Sequence, residues 1–454
     1  MRRLAMLGVV ALSGCTAAPT GTAAREWRGA ERKAMAGRVR EEFRHAWEGY
    51  KRYAWGHDEL KPLSREAHDW YSRPLLITPV DALDTLLLLG DREEAERTRA
   101  YIVENLSFDK DISVKNFEIT IRVLGGLLSA SQMMSDPRLL ALADDLGRRL
   151  LPVFDSPTGM PYVYVNLKTG ETSGAESNPA EIGTLLLEFG TLARLTGKSV
   201  YYDKAKHALT RLFERRSPIG LVGEVIDVES GRWVSPSSHV GARIDSYYEY
   251  LLKCWRLFDD EECGRMWRES IAALNRHVAD ETPTGLWYGP VDMTSGRRTA
   301  REFGALEAFF PAVLALAGDL DRARRLQDSA FSMWSAAGVE PDGFDYVAMR
   351  ATHPAYPLRP EIVESAWSLH RATGDPRYLD MGRVFFDAIV THCRTEAGYA
   401  VLEDVNTKRQ GDLMPSYFLA ETLKYFHLLF APQDDIDPEK VVFTTEAHPL
   451  RRTW

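Results

Sequence analysis

Acidic residues recur in this sequence beside arginine and tyrosine, a combination that can bind and protonate hydroxylated ligands. The segment NFEITIRVLGGLLSA, residues 116–130, places Glu118 and Arg122 four residues apart, on one face of a helix. In GARIDSYYEYLLK, residues 241–253, Arg243 stands two residues before Asp245, and three tyrosines follow. Carboxylates accept hydrogen bonds from sugar hydroxyls, and aromatic rings pack against apolar faces. For any one of these acids, a purely structural role at a helix N-terminus is an equally good interpretation.

Two further segments repeat the pattern. In YPLRPEIVESAW, residues 356–367, Glu361 follows Arg359 and Pro360 and precedes Glu364 by three residues. Two carboxylates at this spacing repel each other on a helix, which favours a ligand between them over a structural role. The segment SYFLAETLKYF, residues 416–426, places Tyr417 four residues before Glu421. Both segments are therefore candidates for the same ligand site.

The chemistry available to these residues is narrow. The segment SNPAEIGTLLLEF, residues 177–189, adds Glu181 after a turn, whereas Glu188 is expected to be solvated or salt-bridged. The chain has no His-x-x-x-His zinc pair, no glycine-rich phosphate loop after a strand and no G-x-S-x-G motif. Carboxylates must therefore carry the chemistry. They indicate glycoside hydrolysis, in which one carboxyl group protonates the leaving oxygen and another activates water.

Composition bounds the class of protein. The chain has 454 residues, enough for one large domain, and 45% of them are hydrophobic. Its formal net charge is −9 and it contains no long basic run, so a nucleic-acid partner is not expected.

The N-terminal stretch MRRLAMLGVVALSGC resembles a bacterial lipoprotein signal, with two arginines, a short apolar run and then Leu-Ser-Gly-Cys. We expect residues 1–14 to be the signal peptide, residues 15–25 a flexible tether with lipid on Cys15, and residues 26–454 a single catalytic domain. The alternative is an ordinary secretory signal cut near Ala24. The resemblance predicts a location in the bacterial cell envelope, at the outer membrane or periplasm, with membrane contact only through the lipid. We also expect a monomer.

Export would leave Cys254, Cys263 and Cys393 in an oxidising compartment. Three cysteines allow at most one disulfide and leave at least one thiol unpaired. No CxxC pattern indicates a zinc or redox site.

A repeat is visible in the turns between apolar segments. Gly or Asp separates pairs of helical segments near positions 90, 136, 197, 259, 318, 374 and 434. The period of roughly sixty residues indicates stacked helical hairpins that cannot bury their apolar faces alone. We therefore expect an all-α protein, an (α/α)7 barrel of seven helical hairpins. The C-terminal segment VVFTTEAHPL, residues 441–450, is expected to enter this barrel as an extended or β-hairpin plug.

The repeat also predicts where the acids meet. Five of the last six turn positions are preceded, thirteen to eighteen residues earlier, by an acid: Glu118, Glu181, Asp245, Glu361 and Glu421. In the remaining repeat, Ala305 occupies this position and Glu307 follows two residues later. Equivalent positions in a closed barrel lie around one mouth, so the sequence predicts a ring of carboxylates there.

Six segments, in this order, resemble glycoside hydrolase family 47, the class I α-mannosidases that trim α-1,2-linked mannose. They are NFEITIRVLGGLLSA, AEIGTLLLEF, GARIDSYYEYLLK, LRPEIVES, FLAETLKYFHLLF and FTTEAHPL, within residues 79–450. The resemblance implies an (α/α)7 barrel. It also implies an exo-acting, inverting, calcium-dependent α-1,2-mannosidase that hydrolyses terminal mannose of mannosides and high-mannose glycans.

The resemblance further implies residue roles. Glu118 would be the proton donor, acting through a water, Glu361 the general base and Asp245 the third catalytic carboxylate. Terminal mannose would be held by Arg122, Glu181, Arg243, Arg359, Glu364, Tyr417, Glu421 and Glu446. The Ca²⁺ ligand would be Thr445, through its carbonyl and hydroxyl oxygens, with water and mannose hydroxyls completing the shell.

Two other interpretations compete with this one. The first is a mannose-binding, lectin-like protein of the same fold without strong hydrolytic activity, and the presence of all three catalytic carboxylates argues against it. The second is a different glycosidase or a sugar epimerase on an α/α barrel, which the order of the six segments disfavours.

Overall fold

The computed structural model describes residues 27–431 and 440–452. The predicted signal peptide, Cys15, the tether and the predicted turn near 434 lie outside these residues. Within the described ranges, no helix combines the length and apolarity needed to cross a membrane.

The described chain forms two concentric rings of seven helical units each, as the turn repeat predicts. The inner units are Ile77–Asp81 with Leu83–Leu88; Asn116–Glu118, Ile119–Leu124 and Gly125–Met134; Pro179–Gly183 with Leu186–Thr196; Asp245–Phe258; Leu306–Phe309 with Phe310–Ala317; Glu361–Thr373; and Phe418–Thr422 with Leu423–Phe430. The outer helices are Gly29–Ala54, Arg92–Asn105, Pro137–Leu150, Val200–Phe213, Glu261–His277, Leu320–Ala337 and Arg377–Cys393, and a short 3₁₀ turn, Leu151–Phe154, follows the third.

Helix patterning explains the two rings. The inner helix Leu423–Phe430 is buried at every position, as a helix surrounded by protein must be. The outer helix Pro137–Leu150 is buried on one face only, at Leu139, Ala143, Leu146, Gly147 and Leu150. The width of its apolar face therefore determines whether a helix lies in the inner or the outer ring.

The predicted turns join each of the first six inner units to its outer helix. Asp136 caps the outer helix Pro137–Leu150 by accepting a hydrogen bond from Arg138 N at 2.9 Å. Gly197 ends an inner helix with φ at 72°, which residues with a β-carbon rarely adopt. These six turns confirm the repeat.

The seventh pair is formed differently from the prediction. The last inner unit, Phe418–Phe430, packs against Gly29–Ala54, the first helix of the described chain, and also against the first inner unit. The N-terminal helix therefore supplies the seventh outer position, and this contact closes the ring.

Short antiparallel strands fill the connections from each outer helix to the next inner unit, so they surround one mouth of the barrel. They are Glu59–Lys61 with Glu66–His68; Ser113–Lys115, Tyr164–Asn166 and Thr172–Ser173; Glu176–Ser177, Val225–Asp227 and Trp233–Ser235; Ser237–Ser238 with Val291–Asp292; Ala279–Thr282 with Gly285–Tyr288; Glu302–Phe303, Gly343–Asp345 and Arg350–His353; Arg394–Thr395 with Gly398–Tyr399; and Leu402–Asp404 with Arg409–Gln410.

The C-terminal segment is a β-hairpin inside the barrel, as predicted. Strands Val441–Phe443 and Pro449–Arg451 pair antiparallel, and they contact the inner helices Asp245–Phe258 and Gly125–Met134. A β-carbon at Gly125 would lie 2.9 Å from the ring of His448, so the glycine there allows the hairpin to approach the helix. We call this hairpin, residues 441–451, the plug.

Cys254 and Cys263 form a disulfide that links an inner helix to the following outer helix, and Cys393 is a buried free thiol. The structure thus selects one of the pairings that the sequence left open.

Candidate functional site

One cavity of about 260 Å³ lies at the mouth where the inner helices begin. All twelve residues predicted for the site line it: Glu118, Arg122, Glu181, Arg243, Asp245, Arg359, Glu361, Glu364, Tyr417, Glu421, Thr445 and Glu446. The predicted ring of carboxylates is therefore a single site.

Arg122 connects the beginning of the second inner unit to the plug. Its guanidinium donates to Glu118 Oε2 through Nε at 3.2 Å and Nη2 at 3.1 Å, and to Glu446 Oε2 through Nη1 at 2.6 Å. Arg122 lies in the π-helical turn Ile119–Leu124, which directly follows Glu118. Such turns are frequent at functional sites. The sequence spacing predicted the pair with Glu118 but not the bridge to Glu446.

Asp245 and Glu361 are each the first residue of an inner helix. Desolvation by the surrounding protein raises the pKa of Asp245 to about 7, although Ser246 N donates to its Oδ1 at 2.7 Å. Desolvation raises the pKa of Glu361 to about 8, and Arg359 only partly offsets this effect. Such carboxyl groups can exchange protons near neutral pH, as general acids and bases must.

Glu307, in the departing fifth repeat, does not line the cavity. It accepts a hydrogen bond from Gly304 N at 3.0 Å, and burial raises its pKa to about 7. This repeat contributes Leu306 and Phe309 to the cavity wall instead.

Glu364 belongs to a buried cluster that the sequence did not predict. Its Oε1 lies 4.0 Å from Lys253 Nζ, and Lys253 also pairs with Glu249, four residues earlier on its helix. Glu249 lines the cavity beside Glu364. Burial raises the pKa of Glu364 to about 7 against the opposing charge of Lys253. The i, i+4 spacing of Glu249 and Lys253 is the feature of the sequence that could have predicted this ion pair.

Lys115 is a second cation that the sequence pattern did not predict. It ends strand Ser113–Lys115, and its Nζ lies 2.9 Å from Glu181 Oε1 and 3.8 Å from Glu118 Oε1. Arg243 lies at the rim, where its side chain is 57% exposed and its Nη1 is 3.6 Å from Glu224 Oε1. Arg243 therefore lies where it can contact a part of a ligand that projects from the cavity.

Tyr417 and Arg359 form one wall. The Tyr417 hydroxyl donates to Pro357 O at 2.6 Å, which fixes the ring against the cavity, and the Arg122 guanidinium carbon lies 5.4 Å from the ring centre. Arg359 Nε donates to Asp342 Oδ1 at 3.2 Å. The Tyr417 ring thus offers an apolar surface rather than a hydrogen bond.

The plug forms the floor of the cavity with Thr445 and Glu446. Burial raises the pKa of Glu446 to about 7 despite Arg122, and burial together with Glu446 and Glu361 holds the pKa of Glu421 well above its usual range. Glu421 lies in the second π-helical turn, Phe418–Thr422.

The expectation that Glu188 is solvated or salt-bridged is wrong. Glu188 is fully buried, accepts a hydrogen bond from the Tyr250 hydroxyl at 2.6 Å, and has a pKa that burial raises to about 8. The same hydroxyl accepts from Thr445 N at 3.3 Å. Glu188 therefore supports the plug from behind.

The lining of the cavity is rich in carboxyl oxygens. Eight acidic side chains line it against four basic ones, and no histidine or cysteine does so in the described chain. Oxygen-only surroundings suit Ca²⁺ or Mg²⁺ rather than zinc. Within the described ranges, no three carboxylate or histidine ligands of this cavity converge on one point, so an ion bound here would also need other oxygen ligands, such as Thr445, water or ligand hydroxyls.

This fold and site define a class, an α/α barrel with a carboxylate cavity for hydroxylated ligands. The model of glycosyl hydrolase family 47 matches residues 42–452. The chain is 42% identical to alpha-mannosidase I MNS4 of Arabidopsis thaliana, over 92% of this chain and 70% of the relative. It is 39% identical to ER degradation-enhancing alpha-mannosidase-like protein 2 of Homo sapiens, over 91% of this chain and 77% of the relative.

Among solved structures, the alpha-1,2-mannosidase from Trichoderma reesei superposes with a TM-score of 0.86 at 28% identity, covering 93% of this chain and 99% of that chain. The chain belongs to glycosyl hydrolase family 47 and is a glycoside hydrolase.

Proposed function

We propose that the protein is an exo-acting, inverting, calcium-dependent α-1,2-mannosidase that removes terminal α-1,2-linked mannose from mannosides and high-mannose glycans. The observation that carries the proposal is that Glu118, Asp245, Glu361 and Thr445 line one cavity. The similarity to the alpha-1,2-mannosidase from Trichoderma reesei supports the choice of linkage.

The plug supports exo action. Because residues of the plug line the cavity, a glycan enters only from the mouth, and a terminal residue reaches the carboxylates before an internal one can. Arg243 and Lys115 nearer the strands would contact the next sugar.

The chemistry follows from proton affinities. Glu361, whose pKa burial raises to about 8, takes a proton from the attacking water as the water oxygen bonds to the anomeric carbon. Glu118 supplies a proton through a water to the leaving oxygen as the glycosidic bond breaks. Arg122 holds Oε2 of Glu118 through two N–H groups, and Asp245 stabilises positive charge that develops on the ring.

The carbonyl and hydroxyl oxygens of Thr445 are ligands of the kind that calcium prefers. When bound, it would take sugar hydroxyls as ligands and so help to orient the ring. The excess of carboxylates around Thr445 favours a cation there electrostatically.

The test is hydrolysis of α-1,2-mannobiose with and without a calcium chelator, with the anomer followed by NMR. We expect β-mannose first, loss of activity in chelator and recovery with calcium. Glu361→Gln should lower kcat by about 10³-fold or more while mannose binding persists, and Thr445→Ala should weaken calcium and sugar binding together. Tight mannose binding without hydrolysis at any calcium concentration would support the lectin-like alternative, and early release of α-mannose would exclude inversion.

A further inference from the structure

Trp70 is an aromatic residue beside the site to which the proposed reaction gives no role. It lies in the connection between helix Gly29–Ala54 and the first inner unit, two residues after strand Glu66–His68. It is half-buried and does not line the cavity. The buried carboxylate of Asp58 fixes the backbone there, because Trp70 N donates to its Oδ2 at 3.1 Å and Leu75 N donates to its Oδ1 at 2.7 Å.

The Trp70 ring packs against Arg122, the residue that holds Glu118. The guanidinium carbon of Arg122 lies over the Trp70 ring, 5.4 Å from its centre, and at the same distance from the centre of the Tyr417 ring. A guanidinium within about 6 Å of a ring centre is attracted to the ring, and its planar face stacks on aromatic faces. The two rings therefore limit the orientations that are open to Arg122.

The ion pairs of Arg122 do not fix its orientation by themselves. Besides Glu118 and Glu446, the carboxylate of Asp81 lies 3.9 Å from Nη1, so three acids compete for one guanidinium. In the observed orientation, Nε and Nη2 donate to Glu118 Oε2, and Nη1 donates to Glu446 Oε2. Because Coulomb attraction depends on distance alone, a contact that depends on the guanidinium plane is needed to select this arrangement.

The residue after Trp70 contacts the same inner unit. The Tyr71 hydroxyl accepts a hydrogen bond from Lys115 N at 3.0 Å, and Lys115 Nζ lies 3.8 Å from Glu118 Oε1. Trp70 and Tyr71 thus contact one residue that precedes Glu118 in the chain and one that follows it.

We propose that Trp70 is a positioning residue for the acid: its ring holds the Arg122 guanidinium in the orientation in which two N–H groups donate to Oε2 of Glu118. Trp70 exchanges no proton itself. Without the ring, Arg122 is expected to turn toward Asp81. Glu118 would then lose the fixed position from which it supplies a proton, through a water, to the leaving oxygen. This inference rests on the proposed function, in which Glu118 is the acid.

Two variants separate an aromatic contact from simple packing. Trp70→Phe keeps a ring beside Arg122, whereas Trp70→Leu keeps an apolar side chain without a ring. Both should fold, because Trp70 is only half-buried. With α-1,2-mannobiose and saturating calcium, Trp70→Phe should keep kcat within about threefold of wild type, and Trp70→Leu should lower kcat about tenfold with KM little changed.

Trp255→Leu is the matched control. Trp255 is also half-buried, and the guanidinium carbons of Arg256 and Arg268 lie 5.6 and 5.2 Å from its ring centre. It lies near the opposite end of its helix from Asp245 and does not line the cavity. This variant therefore loses the same kind of contact outside the site, and its kcat and KM should equal those of wild type.

A second substrate tests whether Trp70 acts through Glu118. Fluoride leaves α-mannosyl fluoride with little protonation, since hydrogen fluoride is a far stronger acid than a sugar hydroxyl, so its hydrolysis depends on the base more than on the acid. We expect Trp70→Leu to hydrolyse this substrate within about threefold of wild type. An equal loss on both substrates, an unchanged kcat on mannobiose, or an equal loss in Trp70→Phe and Trp70→Leu would overturn the inference.

NMR of the Arg122 side chain tests the contact independently of hydrolysis. The Nε–H proton signal, assigned by its loss in Arg122→Lys, should move downfield in Trp70→Leu, where the ring current of Trp70 is absent, and should not move in Trp255→Leu. A chain that shows this shift but hydrolyses neither substrate would refute the proposed function and leave the contact between Trp70 and Arg122 supported. A signal that stayed in place in Trp70→Leu would overturn the inference.

Discussion

At the scale of single residues, the cavity contains buried carboxyl groups whose ionisation near neutral pH opposes folding. The folded-state pKa of Glu361 is about 8, above its unfolded value, so the folded protein binds the proton more tightly. Stability from this group is therefore present at low pH and falls as pH rises from about 4.5 toward 8. In chelator, Glu361→Gln should raise the unfolding midpoint at pH 8 by roughly 2 °C or more and change it little at pH 5.

Differential scanning calorimetry at the two pH values measures this effect. The matched control is Glu48→Gln, because the side chain of Glu48 is 67% exposed and makes only a surface ion pair with Lys51. An equal rise at both pH values would show that Glu361→Gln acts through packing rather than through ionisation.

Single residues also show which parts of the site can be predicted from the sequence. Glu118, Asp245 and Glu361 could be predicted because each lies near the start of an inner unit, thirteen to eighteen residues before a recognisable turn. Lys115 could not, since it comes from a connection between helices and reaches the site only through tertiary packing. Glu188 was misplaced because a single glutamate within an apolar helix gives no local sign of its partner, Tyr250.

At the scale of elements, buried charges lock the plug into the barrel. His448 lies between Asp84 Oδ2, 2.7 Å from its Nδ1, and Asp81 Oδ1, 3.1 Å from its Nε2. Lys424 Nζ donates to Ala447 O at 2.7 Å and pairs with Asp84 at 2.8 Å. Burial opposes protonation of His448, but Asp84 and Asp81 raise its pKa to about 9. The lock therefore joins the plug to two inner units.

His448→Ala should destabilise the protein on the order of 3 kcal/mol, because it leaves buried carboxylates with one cation fewer. Stability from a raised histidine pKa is complete below the unfolded value near 6.5 and is lost as pH rises through about 9. The difference in unfolding free energy between wild type and variant should thus shrink above pH 9. Urea unfolding at pH 6, 8 and 10 measures it.

His427→Ala is the control for lost packing. His427 is buried in the adjacent inner helix, and burial lowers its pKa to about 4, so it is neutral in the folded protein. A destabilisation by His448→Ala that matched the control, or that stayed constant to pH 10, would contradict the charged lock.

The hairpins and the plug could be predicted from the sequence because caps, apolar faces and extended segments are local signals. Ring closure could not. Which helix covers Phe418–Phe430 depends on which apolar face is left uncovered once the other pairs have formed, and the answer is the helix Gly29–Ala54, nearly four hundred residues earlier.

At the scale of the whole molecule, the end of the chain is part of the interior. A truncation after Lys440 removes Thr445, Glu446 and His448 together. It leaves Arg122, Asp84 and Lys424 without their partners on the plug. We expect loss of calcium binding, sugar binding and activity in one step, with destabilisation of about 5 kcal/mol or more.

A truncation after Arg452 is the matched control, because it shortens the chain but keeps every described residue of the plug. Calorimetric titration with calcium and with mannose, beside thermal unfolding, compares the two chains. If the truncation after Lys440 lowered stability alone, the plug would have only a structural role. If the truncated chain bound calcium with wild-type affinity, Thr445 would be excluded as the ligand. The floor of the cavity and the lock on the barrel are the same eleven residues, so their functions should not separate.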